Sequence, residues 1–193
     1  MPQTRLVIAD DESLIRMHLK ETLVGLGYLV VGEAGDGISA VNLARDLEPD
    51  LMIMDIKMPK LDGIRAAELL NQDRNVPVLL LSAFDDRNLV EKAVDSGIVG
   101  YLVKPFREAD LLPSIEIAMT RFAQMKALDD QLNELKLSME TRKLVERAKG
   151  LLMKSQKLSD ADATQRIEDL AASTGKSAKE IAEAVILRHQ LEN

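Results

Sequence analysis

Over the first 120 or so residues, short apolar runs alternate with stretches in which apolar residues recur every third or fourth position. The runs fall at residues 5–9, 29–31, 51–54, 78–81 and 101–103, and each is too short for a helix. Runs of this length, bounded by polar or turn residues, predict strands of a parallel sheet buried on both faces. Residues 13–26 carry Leu14, Ile15, Leu19, Leu23 and Leu26 at helical spacing and end at Gly27. Asp36 and Gly37 open a second helix through Ala40, Val41 and Ala44, stopped by Pro49. A third helix is predicted from Gly63 to about Leu70, a fourth from about Arg87 to Ser96, and a last one begins near Arg107. Strand and helix in strict alternation predict an α/β fold, a five-stranded sheet with helices on both faces.

The last helix has no evident end. From Ser114 to Lys149 there is neither Pro nor Gly, and apolar residues fall at Ile115, Ala118, Phe122, Met125, Leu128, Leu132, Leu135 and Met139. Steps of three and four make a heptad seam, with one short step at Met125–Leu128 that acts as a stammer. One amphipathic helix packed on its own domain is the plainer alternative. A domain of this size cannot cover so long a seam, so a coiled coil over residues 121–138 and a homodimer are expected. Residues 139–193 then read as a small all-α domain of three helices. Leu144, Val145, Ala148, Leu151 and Leu152 form the first apolar stripe. Ser159 and Asp160 cap a second helix, and Ser177 with Glu180 makes a capping box for the third.

The chain's net charge of −7 is uneven. Residues 1–125 hold 13 Lys+Arg against 20 Asp+Glu, and residues 126–193 hold 12 of each. Between Arg142 and Lys157 six basic residues meet only Glu146, so a local basic stripe survives the global acidity. The absence of cysteine excludes disulfides and thiolate metal sites. No apolar run approaches the roughly 20 residues of a membrane span. The N-terminus lacks a signal-peptide pattern, and a cytoplasmic location is expected.

Four of the predicted strands end in chemistry. The first runs into Asp10 and Asp11, the third into Asp55, the fourth into Ser82, and the fifth into Lys104 and Pro105. In an open parallel sheet these ends lie together, where ligands bind. Two carboxylates about 4 Å apart repel by roughly 4 kcal/mol at an effective dielectric near 20. Lys104 offsets one charge of three, so a divalent cation is expected, and all-oxygen ligands select Mg²⁺. His18 and His189 have no companion ligands and read as surface histidines.

Asp10, Asp11, Asp55, Lys57-Met58-Pro59, Asp62-Gly63, Ser82 and Lys104-Pro105 together resemble the receiver domain of two-component response regulators, over residues 1–120. The resemblance implies a flavodoxin-like sheet of order 2-1-3-4-5. It implies phosphorylation of Asp55 by a sensor histidine kinase, with Lys104 and Ser82 assisting; the chain is an enzyme only toward itself. It also implies Mg²⁺ held by Asp11, Asp55 and the Lys57 backbone carbonyl, with Asp10 acting through water. Ser82, Tyr101 and Pro105 then form the switch, with the Lys104–Pro105 bond cis. Lys57 and Phe84 stand near the expected approach of water to the phosphoryl group.

The segment Arg142-Lys143-Leu144-Val145-Glu146-Arg147-Ala148-Lys149-Gly150-Leu151-Leu152-Met153 is similar to the opening helix of the ANTAR domain, an RNA-binding module of transcription antiterminators with an Ala-Lys-Gly signature. Where that family carries an aromatic after the alanine of its second helix, Thr164 follows Ala163. The resemblance implies RNA, in the form of a hairpin in a leader transcript, as the partner of Arg142, Lys143, Arg147, Lys149 and Lys154. Gly150 weakens its helix by roughly 1 kcal/mol relative to Ala, which close approach of another helix or of RNA backbone would explain. The expected function is phosphorylation-dependent antitermination. The alternative is a receiver whose helical tail binds DNA or a protein.

Overall fold

The computed structural model describes residues 3–73, 76–83 and 97–191. The fourth helix expected at 87–96 and Phe84 lie outside them. Two compact units are present, Met1–Lys126 and Ala127–Asn193.

The first unit holds five parallel strands in the order β2-β1-β3-β4-β5. They are β1 (Arg5–Ala9), β2 (Leu29–Ala34), β3 (Leu51–Asp55), β4 (Val78–Ser82) and β5 (Ile98–Val103). The helices are α1 (Ser13–Gly25), α2 (Gly37–Leu47), α3 (Gly63–Asp73) and the first turns of α4 (Glu108–Gln156). Two strands outrun their apolar cores. β2 continues through Gly32 and Glu33 because Ile8 and Ala9 of β1 still pair with Glu33 and Ala34. β5 starts at Ile98 because Val78 of β4 pairs with it.

Strand alternation sorts the core onto two faces. Val7, Ala9, Met52, Met54, Val78 and Leu80 pack under Ala40, Val41 and Ala44 of α2 and Ala66, Ala67 and Leu70 of α3. Leu6, Ile8, Leu51, Ile53, Leu79 and Leu81 pack under Leu19 and Leu23 of α1 and Leu111, Ile115 and Ala118 of α4. Every residue of β3 and β4 is buried, as expected for central strands covered on both sides.

α4 divides the predicted seam. Ile115, Ala118 and Phe122 pack on the sheet of the first unit. Met125, Leu128, Leu132, Leu135 and Met139 are between 45% and 58% exposed. The plainer alternative therefore describes the first two turns of the seam, and the rest stays uncovered in the single chain.

The second unit contains the end of α4 with α5 (Asp160–Thr174) and α6 (Ala178–Leu191). Ala148 and Leu152, Ala163 and Ile167, and Ile181, Ala182 and Ile186 form its core. Ser159 caps α5 in a full capping box with Asp162, and Gly175 ends that helix in the left-handed conformation at φ 67°. Ser177 opens α6: its N–H donates to the Glu180 carboxylate at 2.8 Å, and its Oγ accepts from the Glu180 N–H at 3.3 Å.

Candidate functional site

The parallel sheet delivers Asp10 from the end of β1, Asp55 from the last position of β3, Ser82 from the end of β4 and Lys104 just past β5. Carboxylate oxygens of Asp10, Asp11 and Asp55 lie within 4.8 Å of one another. Asp10 is fully buried and Asp55 nearly so, while Asp11 is exposed. The Lys104 ammonium donates to Asp10 Oδ2 at 2.6 Å and sits 3.0 Å from Asp55 Oδ1. The other Asp10 oxygen accepts the Glu12 N–H at 3.0 Å, so the β1–α1 turn is folded around this carboxylate.

Burial pushes the Asp55 carboxyl up; Lys104 pulls it back and Asp10 adds repulsion, leaving it above the ordinary carboxylate range. For Lys104 burial works against the charge. Hydrogen bonds to Asp10 and Asp55 outweigh it, and the ammonium ends above the ordinary lysine value. Three carboxylates against one ammonium leave the pocket short of positive charge. A donor set made only of oxygens suits a hard divalent cation.

Ser82 Oγ is buried and has no hydrogen-bond partner among the described residues. A buried hydroxyl without a partner costs about 1–3 kcal/mol. The backbone around it is fixed nonetheless, because its carbonyl accepts the Lys104 N–H at 2.8 Å. Tyr101 is 48% exposed on β5, and the Lys104–Pro105 bond is cis. Lys57 is exposed two residues beyond Asp55. Beside Lys104 opens a groove of about 480 Å³ whose walls include Leu14, Ile15, Pro105 and Phe106.

In the second unit Arg142, Lys143, Arg147 and Lys154 are exposed along α4. Lys149 is not in that stripe. It is 8% exposed, and its ammonium lies 2.9 Å from Asp160 Oδ1 and 3.4 Å from Glu146 Oε1. The hydrogen bond to Asp160 raises its pKa most, against desolvation, with Glu146 adding to the rise. Lys149 thus ties α4 to the first turn of α5, while the other four candidate RNA contacts stand exposed. Apart from its own helix turn, no atom of the described residues lies within 4 Å of where a Gly150 Cβ would stand, so close packing of another helix does not account for that glycine.

The chain matches the family model of the response regulator receiver domain over residues 6–116 and that of the ANTAR domain over residues 133–186. It is 49% identical over 182 residues to the transcriptional regulatory protein PdtaR of Mycobacterium tuberculosis, spanning 94% of this chain and 89% of that protein. The chain belongs to the response regulator family. With a receiver and an ANTAR domain on one chain, this response regulator has an RNA-binding role in antitermination. Its receiver is also 36% identical to the chemotaxis protein CheY of Thermotoga maritima over 58% of this chain and 93% of that one. The solved signal receiver domain of NarL from Mycobacterium tuberculosis superposes with a TM-score of 0.57 at 31% identity, covering 62% of this chain and 98% of that one. Neither domain of the regulator is a known catalytic family, and no helix among the described residues is long and apolar enough to cross a membrane.

One residue of the receiver site escaped the sequence reading. Arg16 Nη1 donates to the backbone carbonyl of Asp10 at 2.6 Å, bracing the acidic turn from α1. The sequence shows only that Arg16 falls one helical turn beyond Glu12; its place on the half-buried side of α1, where a charged residue needs a partner, comes from the fold.

The Lys149 contact also makes an expectation. Asp160→Asn removes the nearer of the two carboxylates that face the Lys149 ammonium and a favourable negative charge at the start of α5. Thermal unfolding followed by circular dichroism should show the ANTAR transition lowered by a degree or two. An unchanged transition would mean the ion pair is idle.

Proposed function

We propose that this regulator takes a phosphoryl group onto Asp55 from a histidine kinase and thereby controls pairing of its helical tail and RNA binding. The observation that carries this reading is the buried Ser82 hydroxyl, without a hydrogen-bond partner among the described residues, at the strand end whose carbonyl accepts the N–H of Lys104, the residue that bridges Asp10 and Asp55. A buried donor without an acceptor is explained if an anionic oxygen arrives next to Asp55.

The chemistry follows from the donors present. An Asp55 carboxylate oxygen attacks the phosphorus of a phosphohistidine, a P–O bond forms, the P–N bond breaks, and the departing imidazole nitrogen keeps the electron pair and takes a proton from water. Lys104 moves its charge from the Asp55 carboxylate toward the phosphoryl oxygens. Ser82 donates its hydroxyl to one of them. Asp10, Asp11 and Asp55, with the Lys57 carbonyl, would hold Mg²⁺, which when bound neutralises charge on the phosphoryl oxygens. The groove walled by Leu14, Ile15, Pro105 and Phe106 gives the kinase an apolar surface beside the acceptor, and Leu14 is 74% exposed there.

Phosphorylation adds about −1.5 to −2 charge where the pocket is already acidic. Reorganisation of Ser82, Tyr101 and the segment around Pro105 carries that change to the β5–α4 face. The bare seam from Met125 to Met139 supports pairing with a second copy, since so long an apolar stripe on one helix calls for a partner. Arg142, Lys143, Arg147 and Lys154 then meet the phosphates of an RNA hairpin, and the open space over Gly150 admits a backbone. Light scattering and filter binding, with and without a phosphodonor, test the coupling. The phosphorylated protein should approach twice the monomer mass and bind hairpin RNA more tightly. Equal mass and equal affinity in both states would refute it.

A further inference from the structure

We infer that the groove where the three helices of the ANTAR domain meet is a subsite for one unpaired nucleotide of the RNA, its phosphate on two arginines and its base on the groove's apolar wall. This rests on the RNA-binding role given above and adds a place where sequence is read.

The groove encloses about 360 Å³, inside the roughly 300–1,000 Å³ range of pockets that hold small ligands. α5 contributes Arg166, and α6 contributes Arg188 and His189. Gln156 comes from the last turn of α4, and Leu170 and Val185 form the apolar wall. No carboxylate is among the described residues that line it. That is a local bias, since residues 126–193 hold 12 acidic and 12 basic residues. The cations here are gathered, not average.

Each group matches part of a nucleotide. Guanidinium forks bind phosphate oxygens in pairs, with fixed direction. An imidazole and a flat aliphatic wall offer a base a surface to lie on, and arginine planes stack on bases as well. The Gln156 amide carries both donors and an acceptor, as the edge of a base requires. The exposed stripe of Arg142, Lys143, Arg147 and Lys154 has no aromatic or imidazole ring interleaved with it. It can neutralise phosphates, which positions RNA without reading it. The groove supplies what the stripe lacks, and its size fits one extruded nucleotide rather than a duplex.

The test uses the full chain treated with a phosphodonor. Hairpins with randomised loops are enriched on it, and the best hairpin is titrated at fixed salt, intact and with each loop nucleotide made abasic in turn. Loss of one loop base should weaken wild-type binding about tenfold, the scale of one stacked base. Arg166→Gln with Arg188→Gln should weaken the intact hairpin to a similar degree and remove the abasic penalty at that position. Arg142→Gln with Lys143→Gln should weaken both RNAs alike and keep the penalty. A groove variant that keeps the full penalty, or binds the intact hairpin as wild type does, overturns the subsite while leaving the RNA role standing. Failure of the wild type to enrich any hairpin overturns both. Displacement of a hairpin whose abasic forms all bind equally, by an acidic peptide that the groove variant no longer binds, assigns the groove to protein and overturns the subsite.

Discussion

Asp55→Asn protein incubated with acetyl phosphate and Mg²⁺ should keep its unmodified mass, while the wild type gains one phosphoryl group. The carboxamide oxygen is a far weaker nucleophile than the carboxylate, and no other acid in the cluster can substitute. Asp10 is fully buried with both oxygens engaged, one by the Glu12 N–H and one by Lys104. Asp11 is exposed and lies outside the reach that Lys104 shows. The loss should not come from unfolding. Asp55 has its carboxyl pushed above the ordinary range by burial, so its charged form weakens the native state once the pH exceeds that raised value. With a chelator present near neutral pH, the Asn variant should therefore melt at or above the wild-type temperature. Labelling of the variant at the wild-type level would remove Asp55 from its role.

The receiver was legible because its strands are buried on both faces, so each appears as an unbroken apolar run, and these runs alternate strictly with helical stretches. The residues just past those runs identified the pocket, since strand order alone carries their ends to one edge. Ends of elements were less legible. Gly32 and Glu33 look like a loop, yet pairing with Ile8 and Ala9 holds them in β2. The ion pair of Lys149 was illegible for a related reason. Helical periodicity gives its angle on α4 but not the position of Asp160, which lies beyond a turn and is brought close only by packing of Ala148 and Leu152 against Ala163 and Ile167. Arg16 was missed because its acceptor is a backbone carbonyl, which leaves no mark in the sequence. The groove of Arg166, Arg188 and His189 draws on three helices and has no linear motif at all.

Gly63→Ala should be among the most damaging single-methyl changes in the chain, and Gly150→Ala among the most harmless. A Cβ on Gly63 would stand 2.2 Å from the Asp55 carbonyl oxygen and 3.0 Å from its carbon. Those are backbone atoms of the strand that carries Asp55, so no side-chain rotation relieves the clash. The Gly63 N–H also donates to the Ile56 carbonyl at 2.8 Å, which pins the start of α3 to the end of β3. Either α3 retreats and breaks that bond, or the Asp55 peptide shifts and takes the carboxylate away from Lys104. Overpacking of this kind costs about 3 kcal/mol. Urea denaturation should show that loss, and phosphoryl acceptance should slow even under conditions where the variant is folded. Gly150 presents the opposite case, with no atom of the described residues outside its own helix turn within 4 Å of an added Cβ. Alanine there should stabilise the helix by up to about 1 kcal/mol. If RNA backbone does approach Gly150, the same methyl group should weaken RNA binding while the domain melts higher. A Gly63→Ala protein with wild-type stability and labelling rate would show that the close approach of α3 to Asp55 does not govern the site.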